Sequence, residues 1–151
     1  ELICKVFKRL TMYKFTKIGN RYVVSLDNHV EIFHALTTFC TQEGIKSGCI
    51  TGIGAINEMT LRFFDPNTKK YVDKEFKEQM EIANLTGNIS TLNSQVYLHL
   101  HITAGRADYS TIGGHLLRAQ LNGAGEFILE DFGVDIKREF DPQIGLNIYK
   151  L

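Results

Sequence analysis

The sequence predicts an α+β fold, with a mixed β-sheet and one long helix. Two observations lead to this prediction. β-branched and aromatic residues recur in eight or so strand-like segments, whereas only one segment has a long helical periodicity. The chain has 151 residues, of which 44% are hydrophobic and 23% are charged. This size and composition are typical of one globular domain.

The first eleven residues differ from the rest of the chain. They precede a natural start at Met12, and strand-like alternation begins only after it. We therefore expect residues 1–11 to be a leader, non-native or disordered, and residues 12–151 to form a single domain.

The domain opens with a predicted hairpin. The run RYVVSL over residues 21–26 is rich in β-branched and aromatic residues, as strands are. The Gly19-Asn20 turn would pair it with residues 12–17.

One amphipathic helix is predicted over residues 28–43. Asp27 or Asn28 provides the expected N-cap, and Gly44 provides the C-terminal stop. Five apolar residues recur at helical spacing, namely Ile32, Phe33, Leu36, Phe39 and Cys40.

Strands are predicted through the rest of the chain. They cover residues 47–64, 70–76, 79–88, 94–104, 112–121, 124–131 and 146–150. Gly52-Ile-Gly54 lacks a third glycine and is followed by a predicted strand rather than a helix. It is therefore not a dinucleotide-binding fingerprint, and no cofactor of that kind is expected.

Charge and cysteine content exclude several classes of protein. The 17 basic and 17 acidic residues cancel, so bulk charge does not favour nucleic-acid or membrane binding. The three cysteines, Cys4, Cys40 and Cys49, have no CxxC spacing, which favours a reducing compartment, the cytoplasm. No segment approaches the roughly 20 apolar residues that cross a bilayer.

Three histidines are the candidate metal ligands. In QVYLHLHIT, residues 95–103, strict alternation places His99 and His101 on one face of a strand. Their Cα atoms would be about 6 to 7 Å apart. His115 begins another predicted strand and could lie opposite them. Three neutral imidazoles with an open fourth position form a site at which zinc, or a similar divalent ion, polarises a water or substrate oxygen. The alternative is that these histidines are hydrogen-bonded sheet or interface residues without a metal.

Other polar residues remain open candidates. Arg106 and Asp108 could orient an anion or a ligating imidazole, or could simply cap a loop. His29 and His34 lie on different helix faces, which indicates surface positions. No nucleophile motif is present, so catalytic residues remain unknown. A general base or further metal ligand could come from any of Glu58, Glu81, Glu126, Glu130 and Asp131.

Four segments resemble the plants-and-prokaryotes conserved (PPC) domain family. They are GCITGIGAI at 48–56, MEIANLTGNIS at 80–90, YLHLHIT at 97–103 and GGHLL at 113–117. The resemblance covers about residues 12–151, and FDPQIGLNIY at 140–149 is similar to bacterial members.

The resemblance implies a central, mostly antiparallel sheet of about seven strands, flanked by one long helix and shorter ones, in a homotrimer. Plant members carry AT-hooks that grip DNA, and stand-alone prokaryotic members are commonly assigned to the DNA-binding class. This chain has no Arg-Gly-Arg-Pro hook. Prokaryotic members keep the histidines and have been found with metal, which implies a divalent-metal site, with zinc as the expected ion, at His99, His101 and His115.

Three hypotheses follow. The first is a trimeric DNA-binding or regulatory protein with a metal site. The second is a metal-dependent enzyme that acts on a small molecule in a cleft between subunits. The third is a trimeric interaction module without catalysis.

Overall fold

The computed structural model describes residues 11–151, so the predicted leader lies outside the described residues apart from Thr11. Nine strands and one helix occur in this range. In chain order they are β1 (Tyr13–Ile18), β2 (Arg21–Leu26), α1 (Ile32–Glu43), β3 (Gly48–Asp65), β4 (Lys70–Phe76), β5 (Met80–Leu92), β6 (Gln95–Gly105), β7 (Thr111–Asp131), β8 (Lys137–Asp141) and β9 (Leu146–Lys150).

All nine strands belong to one sheet. Its main path runs β1-β2-β7-β3-β5-β8-β9, with β4 on β3, and β6 on both β5 and β7. Every pairing is antiparallel except the short parallel contact between β5 and β8. Strands β3, β5, β6 and β7 pair in a closed ring, because β6 joins β5 to β7 and β3 joins them on the other side.

The predicted α+β class and mostly antiparallel sheet are confirmed, but two details were wrong. The sheet has nine strands instead of about seven. Among residues 11–151 there is one helix, twelve residues long, without the shorter helices expected beside it. No helix in this range is long and apolar enough to span a membrane.

The helix begins four residues later than predicted. Its N-cap is Glu31, whose carboxylate accepts hydrogen bonds from the backbone N–H groups of Phe33 and His34. The same carboxylate accepts a hydrogen bond from the N–H of Ala119 on β7. Glu31 thus caps the helix and ties it to the sheet, a role that Asp27 or Asn28 cannot take.

The C-terminal part of the sheet also differs from prediction. The two strands expected at 112–121 and 124–131 are one continuous strand, β7. Gly123 lies within it at φ 138°, where an added Cβ would come within 2.9 Å of the Ala55 side chain. The gap between the two predicted strands therefore contains a glycine that serves a close approach between β3 and β7. Strand β8 was not predicted.

The core lies between α1 and the inner face of the sheet. The helix packs against β6 and β7 and buries four of the five residues of its predicted apolar stripe, while Phe33 is partly buried. Burial of apolar side chains supplies most of the stability of such a core. Its largest fully buried side chains include Tyr22, Phe39, Phe127, Ile32, Leu36, Ile45, Ile50, Ile56, Met59, Met80, Leu85 and Ile89.

Candidate metal centre

The two faces of β6 have different roles. Leu98, Leu100 and Ile102 are at most 5% exposed and point into the core. His99 and His101 alternate with them and point to the opposite face, as the period-two pattern predicts.

The third imidazole comes from the neighbouring strand. His115 lies directly opposite His101 in the β6–β7 ladder. The ladder pairs residues 101–105 with 111–115 and ends at this histidine pair. Beyond it, β6 continues along β5 while β7 continues along β3, so the strands diverge and leave a concave space.

The three rings converge at this fork. Their centroids are 5.1 Å apart for His99–His101, 5.1 Å for His99–His115 and 5.5 Å for His101–His115. The Nε2 atoms of His99 and His101 are 3.2 Å apart, and one nitrogen from each ring lies within 4.8 Å of the others. Nitrogens bound tetrahedrally to zinc at about 2.0–2.1 Å would be about 3.4 Å apart, so small ring rotations suffice to share one ion.

Two of the three histidines, His99 and His115, have lowered pKa values, which favour the neutral state that binds metals. Burial lowers the pKa of His99 to about 4, with further lowering by the positive charges of His115, His101 and Arg138. Burial also lowers the pKa of His115, and the charge of His101 and of Arg62 acts in the same direction. Neutral imidazole is the form in which histidine coordinates a cation.

The cluster forms part of the wall of a cavity of about 550 Å³. This is within the range of small-molecule sites in proteins. Most of the exposed lining surface is apolar, although seven of the fifteen lining residues have polar side chains. Its residues are Arg62, Phe63, Phe64, Tyr71, Asn88, Tyr97, His99, His101, Gly114, His115, Arg138, Leu146, Asn147, Ile148 and Tyr149.

Arg62 lies on one side of the cluster, opposite His115 in the β3–β7 ladder. Its Nε and Nη2 atoms donate to the two carboxylate oxygens of Asp73 on β4, at 2.8 and 2.9 Å. Its guanidinium also lies 4.5 Å from the centre of the Tyr71 ring. The charge of Arg62 is therefore compensated. We call these three residues, Arg62, Tyr71 and Asp73, the β4 side of the cavity.

Arg138 on β8 lies on the other side and is only 8% exposed. It donates from Nε to Ser90 Oγ at 2.7 Å, from Nη2 to Asn88 Oδ1 at 2.7 Å and from Nη1 to the carbonyl of Asn147 at 3.1 Å. Asn88 is itself paired with His99 across the β5–β6 ladder.

Two aromatic rings complete the surroundings of this arginine. The Arg138 guanidinium lies 5.0 Å from the centre of the Tyr97 ring and 4.4 Å from that of Tyr149. We call Asn88, Ser90, Tyr97, Arg138 and Tyr149 the β8 side of the cavity. Arg138 was not among the predicted site residues, because β8 was not predicted.

Several sequence-predicted candidates lie elsewhere. Arg106 pairs with Glu78, with Nη2 and Oε1 2.6 Å apart, and Asp108 accepts hydrogen bonds from Ser110 within the same loop. His29 and His34 are exposed, as predicted. None of these four residues lines the cavity, and neither do Glu58, Glu81, Glu126, Glu130 and Asp131.

Comparison with known proteins identifies the family. The sequence model of the Plants and Prokaryotes Conserved (PCC) domain, the PPC family, matches residues 13–133. The chain belongs to this family. The resemblance found in the sequence is thereby confirmed. No curated protein matches the chain.

Several solved structures match nearly the whole chain. A candidate DNA-binding protein from Bacteroides thetaiotaomicron is 63% identical, with a TM-score of 0.91, over 92% of this chain and 97% of that one. A metal-containing protein from Archaeoglobus fulgidus is 30% identical, with a TM-score of 0.82, over 92% and 98%. A candidate DNA-binding protein from Ralstonia eutropha is 28% identical, with a TM-score of 0.85, over 91% and 96%.

Proposed function

We propose that this PPC protein binds a divalent metal ion through His99, His101 and His115. The observation that carries the proposal is the convergence of three imidazoles whose nitrogens lie within 4.8 Å of one another. Among residues 11–151, the one hydrogen bond that these rings make joins Nε2 of His101 to Nε2 of His99. A metal ion would satisfy these nitrogens. The metal content of the 30% identical archaeal protein adds support.

Zinc is the ion that this donor set suits best. Imidazole nitrogen is a preferred zinc ligand, and three histidines leave a fourth position free. That position would face the cavity. Bound zinc would supply a Lewis acid there, and the protein would supply a largely apolar enclosure around it.

Elemental mass spectrometry of untagged protein, purified without chelator, tests the proposal. We expect about one zinc or similar ion per chain, and loss of that ion in His101→Ala because two imidazoles hold zinc weakly. The matched control is His34→Ala, which removes an exposed helix histidine and should keep the metal. Metal-free wild-type protein that also fails to take up added zinc would rule the site out.

A homotrimer is the proposed assembly. Val23, Ile53 and Ile128 lie on one face of adjacent strands β2, β3 and β7 and are 48%, 55% and 48% exposed. A contiguous apolar patch of this kind is typical of a surface that a partner subunit covers. Light scattering should give a trimeric mass for the wild type and a lower one for Ile128→Glu, whereas a monomeric wild type would contradict the proposal.

DNA binding is the second candidate function. It is favoured by the descriptions of the 63% and 28% identical proteins. Charge does not favour it, because three of the 17 basic residues and one of the 17 acidic ones lie in residues 1–10, which leaves the described part mildly acidic. Affinity for duplex DNA that falls steeply between 50 and 200 mM salt would support it. If the wild type binds duplex DNA no more tightly than Ile128→Glu does, and its affinity does not depend on salt, the result would contradict DNA binding.

An enzyme acting on a small molecule is the third candidate, favoured by the cavity beside the proposed metal. The lining residues of this chain would form one wall of the expected cleft between subunits.

The proposed cellular location is the cytoplasm, because free thiols are typical of a reducing compartment. Of the described cysteines, Cys49 is exposed and Cys40 is buried, both as free thiols, and burial raises the pKa of Cys40 to about 12.

A further inference from the structure

We infer that the cavity beside the three histidines binds a small carboxylate with an apolar body, and that Arg138 is the group that binds its carboxylate. The inference rests on the proposed function, since it names the ligand class of the same site. It comes from four features of Arg138: its burial, its neutral partners, its spare donors and its position.

Arg138 carries a buried charge without a counter-charge. Six ion pairs join side chains in the described range, and none of them includes Arg138. Its three hydrogen-bond acceptors, a serine hydroxyl, an amide oxygen and a backbone carbonyl, are all neutral. Because an isolated charge is costly to remove from water, buried guanidinium groups normally face an anion.

The guanidinium also has donors to spare. An arginine side chain has five N–H bonds, and protein groups in the described range accept three of those of Arg138. One N–H on each Nη atom therefore remains for a ligand. Two such donors match the two oxygens of a carboxylate, which guanidinium binds through paired hydrogen bonds.

The surroundings indicate the rest of the ligand. Arg138 and the three histidines line the same cavity, so a carboxylate at Arg138 would lie beside the proposed metal. Rings of Phe64, Tyr71, Tyr97 and Tyr149 line the same space and would contact an apolar body. Arg62 does not compete for the anion, because Asp73 already neutralises it. A mono-anion balances Arg138, the one arginine of the cavity lining without a carboxylate partner.

The test uses benzoate and phenylacetate, each compared with its neutral amide, and inorganic phosphate as a different anion. The titration uses ¹⁵N-labelled wild-type protein whose metal content has been measured, and it follows the Nε–H signal of Arg138. We expect both carboxylates to shift this signal, and both amides and phosphate to bind at least about tenfold more weakly.

Three variants assign the effect to Arg138. Arg138→Met should weaken carboxylate binding at least about tenfold, and Arg138→Lys should restore part of it because the charge returns without the paired donors. Arg106→Met makes the same charge change on a surface arginine outside the cavity and should bind as the wild type does. If the Arg138 variants do not fold, the wild-type Nε–H titration still decides.

The possible outcomes separate this inference from the metal site. Equal binding of carboxylates and amides, preference for phosphate, no binding at all, or unchanged binding in a folded Arg138→Met would each overturn the inference. Metal-loaded protein without carboxylate binding leaves the metal proposal intact. Carboxylate binding by protein that takes up no metal would support Arg138 while removing the metal proposal.

Discussion

The two sides of the cavity each place an arginine beside the histidine cluster, but they treat its charge differently. On the β4 side, Arg62 is paired with Asp73 at a partly exposed position, with side chains 31% and 41% exposed. On the β8 side, Arg138 is buried among neutral acceptors and two tyrosine rings. One arginine completes a local ion pair, and the other keeps its charge available to the cavity.

Arginines at two edges of one site can therefore have different roles, one completing an ion pair and the other available to bind a ligand. Exposed ion pairs contribute little because water screens them. A buried guanidinium with several hydrogen bonds fixes the groups around it more strongly. Substitutions on the two sides should therefore have unequal effects.

The largest effect is expected on the β8 side. Arg138→Ala should lower the free energy of unfolding by about 2–4 kcal/mol, because three acceptors lose their donor and a gap opens between two rings. Urea unfolding in chelator-containing buffer measures this without a contribution from metal. A loss below about 1 kcal/mol would mean that water replaces the guanidinium at little cost, and that β8 is held by other contacts.

A smaller effect is expected from the ring next to Arg138. Tyr149→Leu removes the aromatic face 4.4 Å from the guanidinium and should cost about 0.5–1.5 kcal/mol in the same assay. Tyr109→Leu is the matched control, since Tyr109 is 93% exposed and its replacement should change nothing measurable. Equal losses in the two variants would show that the Tyr149 ring does not stabilise the arginine.

The smallest effect is expected on the β4 side. Asp73→Asn should move the thermal midpoint by less than about 3 °C, because the ion pair with Arg62 is partly exposed and screened. The difference from wild type should shrink further in 1 M NaCl. A loss of unfolding free energy in Asp73→Asn as large as that in Arg138→Ala would show that the two sides of the cavity contribute equally to stability.

The sequence predicts one part of the site and not the other for a physical reason. His99 and His101 follow from strict alternation, since a strand fixes the face of every second residue. Arg138 lies in KREFD, a short and charged strand without apolar alternation. Its burial depends on Ser90 and Asn88, which are 48 and 50 residues away in the chain, and local pattern carries no information about such contacts.

The fold, like the site, was predicted correctly where local sequence signals determine it and missed where distant contacts do. Short-range signals predicted the hairpin, the Gly44 helix stop and most strands. The helix start was missed because Glu31 is selected in part by the N–H of Ala119, 88 residues away. Residues 112–121 and 124–131 were predicted as two strands because the role of Gly123, room for the side chain of Ala55, is also set by a distant strand.

The closed ring of strands has a mechanical consequence. The His101–His115 pair is the last rung of the β6–β7 ladder, where the ring can begin to open. An ion bound by residues on both strands would hold β6 and β7 together at this end of the ladder. Gain or loss of the ion would then change how often β6 and β7 separate next to it. The amide hydrogen-exchange rates of Ile102 and Gly114, the next pair in this ladder, would report that change more directly than the stability of the whole molecule.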